Sequence, residues 1–238
     1  MLLHCSGSTG AQWRSLAAEL GPRYHAIAPD LASAPSLAAV AEPLFRGLGA
    51  PVHLVGHTYG GAVALHMARK RPRLFRSLTL IEPSAFHLLS GDARAEIAAV
   101  AARVKFDLAR ADTVRGYGRF VDYWSGPGAW AAMPEAKRAA LAPQLGKVAL
   151  EFDALLNEPA GLDDFRDLGI PTLLVQGGDT KLPSRTICQR LLAAVPAIRF
   201  ELVPGAGHML PLTHREAVNA LVAEHIDSQS TAFHKEAA

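Results

Sequence analysis

Residues 54–65 read LVGHTYGGAVAL and combine an apolar run, a glycine-flanked turn and a stretch of small residues. The apolar start is typical of a buried strand, the glycines favour a sharp turn, and the small residues favour a closely packed helix. A strand–turn–helix of this kind raises the side chain at its centre, here Thr58, above the edge of a parallel sheet. The stretch therefore predicts an α/β fold with a candidate nucleophile at position 58.

The rest of the chain alternates short apolar or β-branched runs with helical stretches rich in alanine and leucine. The predicted strands are residues 1–4, 24–28, 52–55, 77–81, 172–175 and 198–203. The predicted helices are residues 11–20, 36–48, 60–70, 184–194 and 215–225. This alternation predicts a mostly parallel sheet flanked by helices, with its functional loops at the carboxyl ends of the strands.

Residues 84–169 interrupt that alternation with a long helical segment that is rich in aromatic side chains. We interpret them as a helical cap inserted into a core formed by residues 1–83 and 170–226. Residues 227–238 are polar, and we expect a frayed tail there. The aromatic rings either hold the cap on the sheet or line an apolar pocket beneath it.

Composition narrows the classes of function. The chain has 238 residues, half of them hydrophobic, and a net charge of +2 from scattered basic residues, so no nucleic-acid partner is expected. Two cysteines and the lack of a long apolar run or a signal-like start predict a cytoplasmic protein without membrane contact. The histidines show no metal-site spacing on one helix face, and neither a metal nor a cofactor is expected.

Three further motifs accompany the turn at Thr58 in a recognisable order. Residues 1–8 read MLLHCSGS, residues 171–179 read PTLLVQGGD, and residues 203–208 read VPGAGH. With GHTYGG at residues 56–61, these motifs resemble the oxyanion loop, nucleophile turn, acid loop and histidine loop of the α/β-hydrolase fold family. The order nucleophile, acid, histidine is that of the family, and the resemblance covers nearly the whole chain.

The resemblance implies a role for each site residue. Thr58 would be the nucleophile, His208 the base, and the backbone amides of Ser6 and Tyr59 the oxyanion hole. The acid is expected at Asp179, in the loop that usually carries it. The alternative is Glu82, because some members place the acid after the preceding core strand.

This sequence departs from the family at several positions. Thr58 replaces the usual serine, and a β-branched residue is poorly tolerated at the positive φ of this turn. Cys5 stands where the family has glycine, and its use as a thiol nucleophile is disfavoured because no base is obviously directed at it. The acid loop is one residue short of the usual spacing. The two antiparallel strands that normally come first are absent, which predicts an exposed edge strand that favours oligomers.

Two functions remain open on the sequence alone. The first is hydrolysis of a small to medium, apolar carboxylic ester or related acyl substrate. Its predicted binding residues are Cys5, Phe86, Tyr123, Trp124, Trp130 and Met209. Branches that need an aspartate nucleophile, the dehalogenases and epoxide hydrolases, are not expected, whereas haloperoxidase-like and C–C bond hydrolase branches remain open. The alternative is a catalytically weakened hydrolase fold that binds a small ligand or a protein partner.

Overall fold

Among the described residues, five parallel strands form the sheet, and their spatial order follows their order in the chain. The computed structural model describes residues 1–195 and 197–236, with side chains through residue 230. The strands are β1 (Leu2–Leu3), β2 (Val52–His57), β3 (Phe75–Ile81), β4 (Thr172–Gly177) and β5 (Ile198–Val203). Because neighbouring strands are parallel, their carboxyl ends meet at one rim of the sheet, where His57 is in register with Ile81.

The α-helices of the described residues flank this sheet or lie between its strands. They are α1 (Arg14–Leu20), α2 (Leu37–Arg46), α3 (Tyr59–Lys70), α4 (Gly91–Ala109), α5 (Thr113–Ser125), α6 (Glu135–Leu141), α7 (Leu145–Leu156), α8 (Leu182–Ala194), α9 (Leu210–Thr213) and α10 (Arg215–Glu236). None of the helices in this part of the chain is both long enough and apolar enough to cross a bilayer.

Both faces of the central strands are buried, so neighbouring residues of one strand enter different cores. On β2, Leu54 packs into the larger core with α2, α3 and the helices after β3, whereas Val55 packs into a smaller core with α1 and α10. Leu174 and Val175 of β4 divide between the two cores in the same way. This is the pattern of a parallel sheet with helices on both sides, and the predicted fold class is confirmed.

The segment between β3 and β4 is helical, as the sequence indicates. It contains α4 to α7 and several short 3₁₀ turns, and we call residues 84–169 the helical insertion. Aromatic side chains from it reach the rim of the sheet: the Trp124 ring centroid lies 4.2 Å from that of His208. The insertion therefore borders the site that the strands present.

Two expectations about secondary structure were wrong. Residues 24–28 form no strand, although the Ile27 carbonyl accepts a hydrogen bond from the Leu2 amide at the β1 edge. A frayed tail was expected over residues 227–238, but α10 continues to Glu236, and residues 237 and 238 lie outside the described residues. Its extension is held near Ser230 and Asp227, which both accept hydrogen bonds from the Tyr24 hydroxyl.

Candidate active site

Thr58 occupies the sharp turn between β2 and α3. Its backbone adopts φ 48° and ψ −110°, in the left-handed region that L residues other than glycine rarely adopt. Hydrogen bonds fix this geometry: the Thr58 amide donates to the Ile81 carbonyl at 3.1 Å, and the Thr58 carbonyl accepts from the Ala62 and Ser84 amides. The strained turn predicted from the sequence is present even though the residue is β-branched.

Two glycines leave room for the turn. A Cβ at Gly56 would lie 2.4 Å from the Gly60 carbonyl oxygen, and a Cβ at Gly60 would lie 2.3 Å from the Leu3 carbonyl oxygen. Both approaches involve backbone atoms that side-chain rotation cannot relieve. These contacts give the sequence G-x-T-x-G its physical reason, because the start of α3 must pass directly over β1 and β2.

His208 and Glu82 form a buried hydrogen-bonded pair. His208 Nδ1 lies 2.6 Å from Glu82 Oε2, and both side chains are almost completely buried. The carboxylate also accepts from the Gly177 amide at 2.8 Å and the Thr180 hydroxyl at 2.6 Å. Burial alone would raise the pKa of Glu82, but these hydrogen bonds and the His208 charge lower the pKa overall. Glu82 is thus held as a carboxylate against the imidazole.

The preference for Asp179 as the acid was wrong, because the carboxylate that bonds to His208 is that of Glu82. Asp179 is exposed, and its backbone amide donates to the Ala206 carbonyl in a tight turn after β4. The shortened loop after β4 contributes donors, Gly177 and Thr180, in place of a carboxylate. Glu82 reaches His208 from the end of β3 because its own backbone also turns at a positive φ of 41°.

His57 connects the histidine loop to the oxyanion loop. Because a carbonyl only accepts, His57 Nε2 donates to the His208 carbonyl at 2.9 Å, which leaves Nδ1 to accept from Gln12 Nε2 at 3.2 Å. Gln12 Oε1 accepts in turn from the Cys5 amide at 3.0 Å. Burial, and then the His208 charge, lower the pKa of His57 to about 3, so the ring stays neutral. Its place in this chain of hydrogen bonds is that of a positioning residue.

The Thr58 hydroxyl bonds to a residue that the sequence analysis did not single out. Thr58 Oγ1 lies 2.6 Å from Ser84 Oγ, and both side chains are buried. His208 Nε2 is buried too and has no hydrogen-bond partner among the described atoms. The structure therefore lacks the expected hydroxyl–imidazole hydrogen bond, although Thr58 and His208 line the same cavity.

Of the two predicted oxyanion residues, Ser6 is among the residues that line that cavity and Tyr59 is not. Tyr59 is the first residue of α3, where backbone amides have no intrahelical acceptor. The Tyr59 ring itself is buried in the core. Cys5 also lines the cavity, but burial, followed by the charge of Glu151, raises the pKa of its thiol to about 12. A thiol that stays protonated is a wall group and not a nucleophile.

The cavity has a volume of about 420 Å³ and is mostly apolar. Its aromatic and aliphatic walls come from α5, from the turn after His208 and from α9. They include Tyr117, Phe120, Val121, Trp124, Met209 and Leu212. Two of the predicted binding residues, Trp124 and Met209, thus line this cavity. Phe86 lines a small neighbouring void with Thr58.

Two predicted binding residues face elsewhere. Tyr123 lines a different cavity, between α4 and α5, and its hydroxyl donates to Glu96 at 2.7 Å. Trp130 packs on Tyr117, with ring centroids 5.7 Å apart, and holds the insertion together. On α5, Tyr117, Val121 and Trp124 lie three or four residues apart on the face that lines the cavity, whereas Tyr123 lies four residues after Arg119 on the face toward α4.

Sequence reasoning missed several functional candidates. Ser84 lies in a loop and Gln12 in a short 3₁₀ turn, and neither belongs to a motif that distinguishes it from an ordinary polar residue. Ser184, whose hydroxyl lies 3.2 Å from His208 Nδ1, gives no signal either. Tyr117 has a buried hydroxyl at the cavity without a partner among the described residues. No group of three or more His, Cys, Asp or Glu side chains in this part of the chain is arranged to hold a metal ion.

A family model and one curated relative match most of this chain, and a second relative matches about a third of it. The model of the Alpha/beta hydrolase family matches residues 1–221. This chain is 28% identical to polyketide synthase ThaQ of Burkholderia thailandensis over an alignment of 258 residues. The alignment covers 93% of this chain and 11% of ThaQ. This chain is also 34% identical to lipase LipV of Mycobacterium tuberculosis over 96 residues, which make up 35% of this chain and 36% of LipV. The chain thus matches only about a third or less of the length of these two relatives.

Solved structures share the fold. A malate-bound thermophilic esterase from Thermogutta terrifontis superposes with a TM-score of 0.73 at 23% identity, covering 96% of this chain and 89% of the esterase. At that identity the likeness concerns the fold alone. The family model, which matches residues 1–221, shows the family as well as the fold. The chain belongs to the alpha/beta hydrolase family.

Proposed function

We propose that this protein hydrolyses a carboxylic ester or a related acyl substrate, with Thr58 as nucleophile, His208 as base and Glu82 as acid. One observation carries the proposal: Glu82 binds His208 Nδ1 at 2.6 Å and leaves Nε2 unpartnered among the described atoms, on the wall that Thr58 shares. A carboxylate in that position keeps the ring in the tautomer whose Nε2 accepts a proton.

The reaction follows from these positions. The Thr58 hydroxyl turns from Ser84, gives its proton to His208 Nε2, and its oxygen attacks the substrate carbonyl carbon. The carbonyl oxygen becomes an oxyanion that the amides of Ser6 and Tyr59 stabilise. His208 then returns the proton to the departing alcohol, leaving an acyl group on Thr58. Water, deprotonated by His208, releases the acid and restores the hydroxyl.

The cavity supports a substrate of small to medium size with an apolar portion. A volume of about 420 Å³ is within the range of small-ligand sites, and its walls are mainly aromatic and aliphatic. Tyr117, Phe120 and Trp124 of the helical insertion form one side of the cavity. The insertion therefore acts as a cap that selects the substrate, while the sheet rim supplies the reacting groups.

A second function, ligand binding without turnover, is favoured by two specific contacts. The Thr58 hydroxyl bonds to Ser84 at 2.6 Å, and the Trp124 ring packs against the His208 ring with centroids 4.2 Å apart. If this arrangement persists when a ligand binds, the hydroxyl and the imidazole do not meet, and the fold serves only to bind.

Hydrolysis of p-nitrophenyl acetate and butyrate distinguishes the two functions. The enzyme hypothesis expects turnover that falls to the background rate in Thr58→Ala and in His208→Ala. Equal rates in the wild type and both variants, together with a rise in melting temperature on adding an unreactive ester analogue, would favour the binder. An assay with Asp179→Asn serves as a matched control, because its carboxylate is exposed.

A further inference from the structure

A second buried carboxyl near the site is that of Glu151 on α7, which lines one small void with Thr58 and another with Ser33 and Lys147. The residue is only 6% exposed. Its Oε1 accepts a hydrogen bond from the Ser33 hydroxyl at 2.8 Å, whereas Oε2 is buried and makes no hydrogen bond of normal length to a described atom, although the Ser6 hydroxyl lies near the carboxyl. A buried carboxyl oxygen without a partner is costly, and folded proteins rarely retain one without a role.

The Glu151 side chain and Thr58 line one small void. Its remaining polar walls are Ser6 and Ser84, and its other walls are apolar side chains, among them Phe86 and Trp124. The space available is about 10 Å³, which is close to what a single water molecule requires. The void therefore fits one small polar group that is attached very near the atom Thr58 attacks.

The charge around Glu151 does not explain its burial. Among the described residues it takes part in no ion pair, and Lys147 on the same helix acts on it only at a distance. Burial raises the pKa of Glu151, and the nearby Ser6 and Ser33 hydroxyls oppose that rise. A hydroxyl group suits this carboxyl whether it is neutral or ionised, because a hydroxyl both donates and accepts. An ammonium group suits only the ionised form.

We propose that Glu151 determines the acyl specificity of the site, an inference that rests on the function proposed above. Its Oε2 accepts a hydrogen bond from a hydroxyl or amino substituent on the carbon next to the ester carbonyl, within the void that Glu151 and Thr58 share. The preferred substrates are then short acyl esters with a polar substituent at that carbon, and not plain alkanoates. Such a site rejects the analogue that lacks the substituent, because the carboxyl oxygen then stays unpaired.

Three phenyl esters of nearly equal shape test this proposal with the full chain. Phenyl lactate carries a hydroxyl, phenyl isobutyrate a methyl, and phenyl alaninate an ammonium group at the same carbon. The ratio of kcat/KM for lactate to that for isobutyrate should fall about tenfold in Glu151→Leu and about threefold in Glu151→Gln, whose amide oxygen still accepts. Intrinsic ester reactivity cancels when each variant is compared with the wild type.

Controls separate this proposal from the proposed function. Asp153→Asn alters a half-exposed carboxylate on the same helix and should leave the ratio unchanged. A preference for alaninate over lactate identifies an amino substituent, the reverse identifies a hydroxyl, and Glu151→Leu should remove either preference. An identical ratio in the wild type, Glu151→Leu and Glu151→Gln overturns the proposal.

Binding of lactamide and isobutyramide, read as a shift in melting temperature, reports the same preference without chemistry. A Glu151-dependent preference for lactamide in a protein that hydrolyses none of the esters contradicts the proposed function alone. An equal response to both amides, or a response to neither, counts against the specificity proposal.

Discussion

The imidazole end and the hydroxyl end of the candidate triad are built differently. At the imidazole end, Glu82 accepts from His208, Thr180 and the Gly177 amide, all of which belong to the sheet and its loops. At the hydroxyl end, the Thr58 hydroxyl is hydrogen-bonded to the Ser84 hydroxyl. The helical insertion places Glu151 nearby, and its Oε2 makes no hydrogen bond of normal length to a described atom. Core residues therefore hold the Glu82–His208 pair, whereas residues of the helical insertion surround the Thr58 hydroxyl, and under the proposed function the insertion selects what reaches Thr58.

The largest expected effect comes from removing the charge at the imidazole end. Glu82→Gln should lower kcat by about 10³- to 10⁴-fold, because an amide cannot hold His208 in the productive tautomer or stabilise its cation. Asp179→Asn should change kcat less than about twofold, since that side chain is exposed. Steady-state ester hydrolysis measures both. A loss in Asp179→Asn as large as that in Glu82→Gln would contradict the assignment.

Lowering the pH should destabilise the folded protein through His57, which lies at the imidazole end of the site. Its pKa in the folded chain is about 3 against an ordinary value of 6.5, so between these values only the unfolded chain holds the proton. Stability is therefore present above about pH 6.5 and is lost as the pH falls, by about 1.4 kcal/mol per pH unit for this group. In urea unfolding from pH 7 to pH 4.5, His57→Gln should reduce that slope, whereas His25→Gln, at an exposed position, should not. Equal slopes in all three proteins would show that His57 is not the cause.

A smaller effect is expected at the hydroxyl end from Thr58→Ser. The threonine is held at φ 48°, where a β-branched side chain is strained, and its methyl group crowds the tetrahedral intermediate. Relief of about 1 kcal/mol corresponds to about a fivefold rise in kcat. Kinetics and the melting temperature should be measured together. A folded Thr58→Ser protein with an unchanged or lower kcat would contradict this account of the turn.

The smallest expected effect concerns the hydrogen bond that competes for the Thr58 hydroxyl. Ser84→Ala removes a partner at 2.6 Å and frees the hydroxyl to turn to His208. A hydrogen bond of about 1 kcal/mol predicts a rise in kcat of up to about fivefold. Ser90→Ala, further along the same connection, is the control. A fall in kcat in Ser84→Ala would mean that Ser84 supports the nucleophile rather than withholding it.

The sequence predicts the fold and the positions of Thr58 and His208 because glycines, apolar runs and loop order are local signals. It leaves Glu82 and Asp179 as alternatives, since the choice depends on how two neighbouring loops share one space. Ser84 and Glu151 give no sequence signal at all. Each acquires its place through contacts between the core and the helical insertion, and such contacts depend on helix direction and packing rather than on any local pattern.

The most direct test of the central claim is to locate the adduct formed by a fluorophosphonate. Attack by the nucleophile oxygen on phosphorus expels fluoride and leaves a stable phosphonyl ester that mass spectrometry assigns to one residue. The account predicts labelling at Thr58 that disappears in His208→Ala and is greatly slowed in Glu82→Gln. Labelling at Ser84, or labelling at Thr58 that is as fast without the imidazole, would contradict it.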